Sequence, residues 1–112
     1  MTRSVDFRRV YQSGTRRSGA LVVVHACPND LGTVRLGVAV GRRFGRAAAR
    51  NRLRRRLREA VRSYRPRMQT SVDLVVVPRV AAGTAAYADL RDGVRTALEA
   101  SGVLTGNDRK EP

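Results

Sequence analysis

The chain has 112 residues, of which 42% are hydrophobic and 29% charged, and its formal net charge is +14 at pH 7. This length fits one domain with a modest core, and the apolar share is ordinary for a folded protein, which argues against general disorder. The single cysteine, Cys27, excludes an internal disulfide, and the longest apolar stretch, 20–24, is far shorter than the roughly 20 residues that cross a membrane. We therefore expect one cytoplasmic domain over residues 1–112, with a polar, flexible tail at 105–112.

The first predicted element is a short helix that begins near Ser4, which can cap it, and ends at Gly14. Phe7, Val10 and Tyr11 share one face of this helix, because they are spaced three and four residues apart. This face is expected to contact the rest of the fold.

Two strands are predicted next, at 20–26 and 33–40. The first is a run of β-branched residues, and the second alternates apolar and other residues, which is typical of a half-buried strand. The turn-forming residues 29–32 separate them, so the pair is interpreted as a hairpin.

The remaining pattern predicts a helix at 46–64, a nearly continuous apolar strand at 72–77 and a last helix at 86–100. One face of the last helix carries the apolar residues Tyr87, Leu90, Val94, Ala97 and Leu98. The predicted order is helix, strand, strand, helix, strand, helix, which indicates a small α+β sandwich with helices packed on a sheet.

Most of the net charge lies in residues 42–67, which contain 12 arginines and one acidic residue, Glu59. Charge this dense repels itself unless a polyanion neutralises it, and the planar guanidinium fork matches phosphate, so a nucleic-acid backbone is the natural partner. A genome rich in G and C would also favour arginine over lysine. It would not explain the clustering.

The predicted helix at 46–64 has a narrow apolar stripe and an arginine-covered remainder. The stripe consists of Ala49, Leu53, Leu57, Ala60, Val61 and Tyr64. Arginines at 50, 54, 58 and 62 form one row, and those at 52, 55 and 56 cover the rest of the surface. A solvated helix face is the simpler alternative, but such faces usually mix acidic with basic residues. A membrane-surface helix is a weaker alternative, because this apolar stripe is small.

Asn51 interrupts the arginine run. Its amide both donates and accepts hydrogen bonds, so it can hold a turn, brace a neighbouring arginine or contact a base edge. An exposed polar residue without a role is the alternative. Elsewhere, the single histidine, His25, and the scattered acidic residues match no catalytic triad or metal-ligand pattern, so we expect no independent active site.

Several of these motifs resemble the protein subunit of bacterial ribonuclease P. The resemblance is carried by GVAV at 37–40, the pair Arg42-Arg43, Gly45, and RNRLRRRLRE at 50–59. Phe7, Val10 and Gly14 are similar to the early helix of that family, and DLVVVPR at 73–79 is similar to its third strand. The match extends over most of the chain.

The resemblance implies both a fold and a function. The fold would be an α-β sandwich similar to the second domain of ribosomal protein S5, with a left-handed βαβ crossover through the basic helix. The partners would be a large catalytic RNA and precursor tRNA, whose 5′ leader the complex removes. The RNA and its Mg²⁺ would perform the chemistry, with no cofactor held by this chain alone and no protein partner.

The resemblance also implies two groups of site residues. Residues facing the catalytic RNA would be Arg42, Arg43, Arg46, Arg50, Asn51, Arg52, Arg54, Arg55, Arg56, Arg58 and Arg62. The leader of precursor tRNA would lie in a cleft formed by Phe7, Tyr11, His25 and Arg79. Core packing is the alternative for Phe7 and Tyr11.

Two other classes of protein remain as alternatives. One is a non-catalytic RNA-binding protein of the ribosome or translation machinery. The other is a DNA-binding architectural protein, which is disfavoured because the sequence has no recognition-helix turn or dimer signal.

Overall fold

The structure is a computed structural model that describes residues 5–104. Its elements are α1 (Phe7–Ser13), β1 (Thr15–Ser18), β2 (Val22–Pro28), β3 (Val34–Val38), α2 (Ala47–Arg62), β4 (Val72–Pro78) and α3 (Tyr87–Ala100). Short 3₁₀ helices lie at Arg42–Phe44, Arg65–Arg67 and Val80–Gly83. The predicted α+β class is confirmed, and the predicted elements all occur with bounds shifted by a few residues. The predicted flexible tail at 105–112 lies outside the described residues.

The strands form one mixed sheet in the order β1-β2-β4-β3. β2 runs antiparallel to β4, from Val22 opposite Pro78 to Pro28 opposite Val72. β3 pairs with the other edge of β4 in the parallel direction, and α2 lies in the connection between them. The resemblance therefore implied the correct pair of strands on either side of the basic helix.

The predicted hairpin between the strands at 20–26 and 33–40 is wrong, because β4 lies between β2 and β3. Two strands separated by a turn have the same local sequence pattern whether they pair with each other or have a third strand between them. β4 takes the central position, with a neighbour on each edge and cover on both faces, so every residue from 72 to 76 is buried. The backbone N–H of Asn29 donates to the carbonyl of Ser71 at 3.1 Å, which directs the turn towards β4.

β1 was not predicted from the sequence. Its residues, TRRS, are all exposed and show no apolar alternation, so they carry no strand signal. The strand forms by pairing with the outer edge of β2, from Thr15 opposite Ala26 to Ser18 opposite Val23. Pairing satisfies backbone groups at that edge that would otherwise bond water. The element order is thus helix, three strands, helix, strand, helix.

Helices cover the two faces of the sheet unequally. α2 and α3 pack against each other and against one face, where most of the core lies. α1 packs on the opposite face, over β2 and β4, with a smaller core cluster formed by Val5, Val10, Cys27 and Val75. Part of this second face has no helix over it, and one of the candidate binding surfaces lies there.

The ends of α1 differ from the prediction. Asp6 caps the helix, and its carboxylate accepts the backbone N–H of Arg9 at 3.1 Å. The predicted cap, Ser4, lies outside the described residues. Gly14 ends the helix as predicted, and its N–H donates to the carbonyl of Val10 at 2.9 Å. A Cβ at this position would lie 2.5 Å from the carbonyl oxygens of Val10 and Ala26, so only glycine fits between the helix and β2.

Four of the five residues predicted on the buried face of α3 are buried, namely Leu90, Val94, Ala97 and Leu98. The exception is Tyr87, which occupies the first position of the helix and is 37% exposed. Within these 14 residues the spacing of three and four residues thus identified the core-facing side correctly.

Candidate nucleic-acid interface

α2 separates apolar from basic side chains as its sequence predicts. Leu53, Leu57, Ala60 and Val61 are buried against the sheet and α3, and Tyr64 follows just after the helix and is buried as well. Ala49, the sixth residue of the predicted stripe, is exposed. It lies in the first turn of α2, where it lines an open hollow beside residues 83–86.

The basic side of α2 defines an extended positive surface, which we call the arginine face. It consists of Arg46, Arg50, Arg52, Arg54, Arg55, Arg58 and Arg62. All are exposed except Arg50 and Arg54, which are half-buried. Within residues 5–104 none of them forms an ion pair, because the carboxylates that pair with arginines belong to β4 and α3. The charge of this face is therefore open to an external anion.

Asn51 takes one of the roles that its amide allows. Its Oδ1 accepts a hydrogen bond from Nη1 of Arg54 at 2.6 Å. The bond restricts the rotamers of a long side chain on the arginine face, so Asn51 orients Arg54. The Nε of Arg50 is buried without a hydrogen-bond partner among the described residues.

Two predicted RNA-facing arginines use part of their hydrogen-bonding capacity within the fold. Nη2 of Arg56 donates to the carbonyl of Ala85 at 2.9 Å, which connects α2 to the segment before α3. Nη2 of Arg43 donates to the carbonyl of Pro78 at 3.4 Å, and its guanidinium lies 5.3 Å from the centre of the Phe44 ring. Arg42, its neighbour in the 3₁₀ helix, is exposed.

A second surface lies on the other face of the sheet, beside α1. Phe7, Tyr11 and His25 meet there, and we call them the aromatic surface. The rings of Phe7 and Tyr11 are 6.2 Å apart and those of Tyr11 and His25 are 4.7 Å apart, both edge to face. Tyr11 is 46% exposed, so the structure favours a surface role for it over core packing.

Phe7 has a more structural position than Tyr11. Its ring is half-buried over Gly37 of β3, where an added Cβ would lie 2.5 Å from the ring. Core packing therefore accounts for part of the contacts that Phe7 makes. Phe7 also contacts Tyr11, so the two rings lie side by side on this face of the sheet.

Arg79 lies further along the same face and does not contact the aromatic rings. It is exposed and lines a shallow groove with Arg16, Arg43 and Val77. Arg16 was not predicted as a site residue, because β1 itself was not predicted. It lies directly opposite His25 in the register of β1 and β2. The groove therefore continues the aromatic surface with positive charge.

Burial changes the ionisation of two groups on the aromatic surface. It lowers the pKa of His25 below its ordinary value, and the positive charge of Arg16 adds to this effect. Burial also raises the pKa of the Tyr11 hydroxyl. Both shifts favour the uncharged form of the ring.

A buried ion-pair network lies beneath α1, and the sequence did not predict it. Asp73 of β4 is fully buried, and its carboxylate accepts hydrogen bonds from Asn29 at 2.8 Å and from Nε and Nη2 of Arg35 at 2.8 and 2.6 Å. Arg9 of α1 donates to the same carboxylate. We call Asp73, Asn29, Arg35 and Arg9 the Asp73 cluster. Its hydrogen bonds, above all those from Arg35, lower the pKa of Asp73 to about 2.

Other site types find no support in the described part of the chain. No three His, Cys, Asp or Glu side chains among residues 5–104 gather as a metal site would require. No helix there has the length and apolarity to span a membrane.

Comparison with known proteins identifies the family. The family model described as Ribonuclease P matches residues 1–101. The chain belongs to the ribonuclease P protein family. The ribonuclease P protein component of Symbiobacterium thermophilum is 40% identical over 99 residues, which cover 88% of this chain and 86% of that protein. That of Clostridium acetobutylicum is 25% identical over 109 residues, which cover 96% and 92%.

Solved structures of ribonuclease P proteins share the fold. The Staphylococcus aureus protein superposes with a TM-score of 0.82 at 24% identity, covering 94% of this chain and 96% of that one. The Thermotoga maritima protein superposes with a TM-score of 0.78 at 28% identity, covering 85% and 90%. The predicted family and fold class are both confirmed, and the family relates the chain to tRNA processing.

Proposed function

We propose that this chain is the protein subunit of a ribonucleoprotein endonuclease that removes the 5′ leader of precursor tRNA in the cytoplasm. The arginine face, with Arg42, Arg43, Asn51 and Arg56, binds the catalytic RNA. The aromatic surface, with Arg79, binds the single-stranded leader. The RNA partner and its Mg²⁺ perform the hydrolysis.

The arginine face is the observation that carries this proposal. Its guanidiniums have no carboxylate partner among residues 5–104, and α2 is held by its buried stripe so that they point away from the core. A phosphate backbone accepts bidentate hydrogen bonds from such groups, and binding releases the counterions that the phosphates had condensed. A rigid helix presents these donors in fixed positions, which suits a folded RNA.

The aromatic surface supports a second, different contact. Unstacked bases of a single strand stack on exposed rings, and the sequence of the strand matters little because every base has a π-face. Tyr11 and His25 present such rings, and the groove lined by Arg16 and Arg79 continues from them with positive charge for the backbone. A flexible leader fits this arrangement better than a duplex does.

The test is a reconstituted cleavage reaction. A catalytic RNA of the ribonuclease P type is assayed with and without this chain at low Mg²⁺, where RNA self-repulsion is strongest, with precursor tRNA as substrate. We expect the chain to stimulate cleavage and the variant Arg54→Ala with Arg58→Ala to stimulate it less. The matched control is Arg67→Ala with Arg95→Ala, which removes the same charge from side chains that already pair with acidic residues.

The outcomes separate the candidate functions. Stimulation by wild type and control supports the proposal. Binding of RNA without any stimulation of cleavage would contradict it and favour a general RNA-binding protein of the ribosome or translation machinery.

A further inference from the structure

The Asp73 cluster belongs to neither proposed RNA surface, yet it joins three elements under α1. Arg9 comes from α1, Arg35 from β3, and Asn29 from the turn after β2. Nη1 of Arg9 also donates to Sγ of Cys27 at 3.0 Å and to the carbonyl of Pro28 at 3.3 Å. Asp73 is the one charged side chain that is buried in the described range. Such a group is costly unless its hydrogen bonds are complete, so its partners are held in narrow positions.

The geometry of α1 places Arg9 and Tyr11 on opposite flanks of the helix. Successive residues of an α-helix are rotated by about 100°, so Arg9 and Tyr11 each lie about 100° from Val10, in opposite senses. Val10 is fully buried and faces the sheet. A roll of α1 about its axis would therefore lift one flank as it lowers the other.

The two flanks of α1 contact the sheet at neighbouring positions of β2 and β4. Cys27 lies opposite Asp73 in the register, and His25 lies opposite Val75. The two pairs are two residues apart, about 7 Å along the strands. Arg9 bonds the first pair, at Asp73 and Cys27, whereas Tyr11 contacts His25 of the second.

We propose that Arg9 and Asp73 are positioning residues for leader recognition. Their ion pair prevents α1 from rolling, and thereby keeps the Tyr11 ring edge-to-face on His25 at the exposed end of the aromatic surface. This inference rests on the proposed function, because it concerns the leader that this surface binds. Arg9 acts through Tyr11 and does not itself need to contact RNA.

The experiment compares the affinity of the reconstituted holoenzyme for precursor tRNA with its affinity for mature tRNA. Arg9→Ala removes the hydrogen bonds from α1 to Asp73 but leaves Asp73 paired with Arg35 and Asn29, so we expect the fold to be retained. Arg8→Ala is the matched control, because Arg8 is the exposed neighbour on the same helix, without a bonded partner among residues 5–104. We expect Arg9→Ala to lower the preference for precursor by at least about fivefold, the loss of one stacked base, and Arg8→Ala to leave it unchanged.

Two further variants distinguish positioning from direct contact. Tyr11→Ala should lower the preference by itself and add little in the Arg9→Ala background, because the ring is already displaced there. Asp73→Asn keeps the charge of Arg9 and removes its ionic partner. It should reduce the preference like Arg9→Ala, whereas a direct contact between Arg9 and the leader would survive this substitution.

Each alternative result overturns a defined part of the scheme. If wild type shows no preference that depends on Tyr11, the proposed leader surface and this inference both fail. If Tyr11→Ala removes the preference but Arg9→Ala behaves like Arg8→Ala, only the inference fails. Full additivity of Arg9→Ala and Tyr11→Ala would likewise overturn it, since the two residues would then act independently.

Discussion

Asp73 shows how hydrogen bonds keep a buried carboxylate in its ionised form. Its position on β4 faces α1, in a strand whose other residues are apolar, and burial would strongly disfavour its charge without partners. The hydrogen bonds from Arg35, Asn29 and Arg9 reverse this effect and favour the ionised form. The carboxylate is therefore ionised at neutral pH.

This ionisation predicts a specific pH dependence of stability. The pKa of Asp73 in the fold, about 2, is lower than its ordinary value of 3.8, so its contribution is present above about pH 4 and is lost as pH falls towards 2. The lowered pKa corresponds to about 2 kcal/mol of stability at neutral pH. We expect Asp73→Asn to be less stable than wild type at pH 7, with a difference that shrinks as pH falls through this range. Urea unfolding at several pH values measures it, and a constant difference would contradict the assignment.

The fit of α1 depends on a close approach at Gly14, where the helix ends against β2. A Cβ there would lie 2.5 Å from two backbone oxygens, which cannot move aside as a flexible side chain could. We expect Gly14→Ala to destabilise the protein by about 1–3 kcal/mol through the shift it forces. Gly41→Ala is the control, because Gly41 has open space around its Cβ position and an ordinary φ of −81°. Equal unfolding midpoints for the two variants would show that the contact is relaxed.

At the scale of elements, α2 has an apolar side that packs in the core and a basic side that faces water. Its stripe, buried at Leu53, Leu57 and Val61, holds it against the sheet and α3, and this packing offsets the repulsion between arginines four residues apart. Each such repulsion costs a few tenths of a kcal/mol in an isolated helix. This packing stabilises the helix without RNA, so the proposed RNA contact requires little ordering of its backbone.

If the arginine face binds the catalytic RNA as proposed, that binding should depend strongly on salt. Each neutralised phosphate contributes a slope of about −0.9 to the plot of log affinity against log salt for a duplex. We expect Arg54→Ala with Arg58→Ala to flatten that slope by about 1 to 2. Arg67→Ala with Arg95→Ala should leave the slope unchanged, since their guanidiniums face Glu99 and Asp92. Filter binding over a range of salt concentrations measures both, and identical slopes for the two double variants would contradict an RNA contact at the arginine face.

At the scale of the whole molecule, the sheet separates the two proposed contacts. α2 and α3 cover one face, whereas α1 and the aromatic surface lie on the other. Arg43 lies between them, because it belongs to the basic segment before α2 and also lines the groove with Arg79. Under the proposed function, this separation lets one small domain contact a folded RNA and a flexible strand at the same time.

The separation predicts that the two contacts can be removed independently. Arg54→Ala with Arg58→Ala should weaken assembly with the catalytic RNA and leave the ratio of precursor to mature tRNA affinity unchanged. Tyr11→Ala should leave assembly unchanged. It should weaken the preference for precursor over mature tRNA by about 1–3 kcal/mol, the free energy of one lost base stack. Titration of the catalytic RNA and equilibrium binding of both tRNA forms test this, and an equal loss for precursor and mature tRNA in Tyr11→Ala would assign the ring to the fold alone.

The sequence by itself determined the family, the existence of six of the seven main elements and the two-sided character of α2. These features depend on local signals, namely the spacing of apolar residues, the arginine run and the segment RNRLRRRLRE at 50–59, which do not depend on distant contacts. Only the tertiary structure decided the order of the strands, the presence of β1 and the role of Asp73. Strand order depends on which backbone edges meet, β1 forms only because β2 offers an edge, and Asp73 meets Arg9 across 64 positions of sequence. A polar residue within an apolar strand gives no sign of its partners until the chain has folded around it.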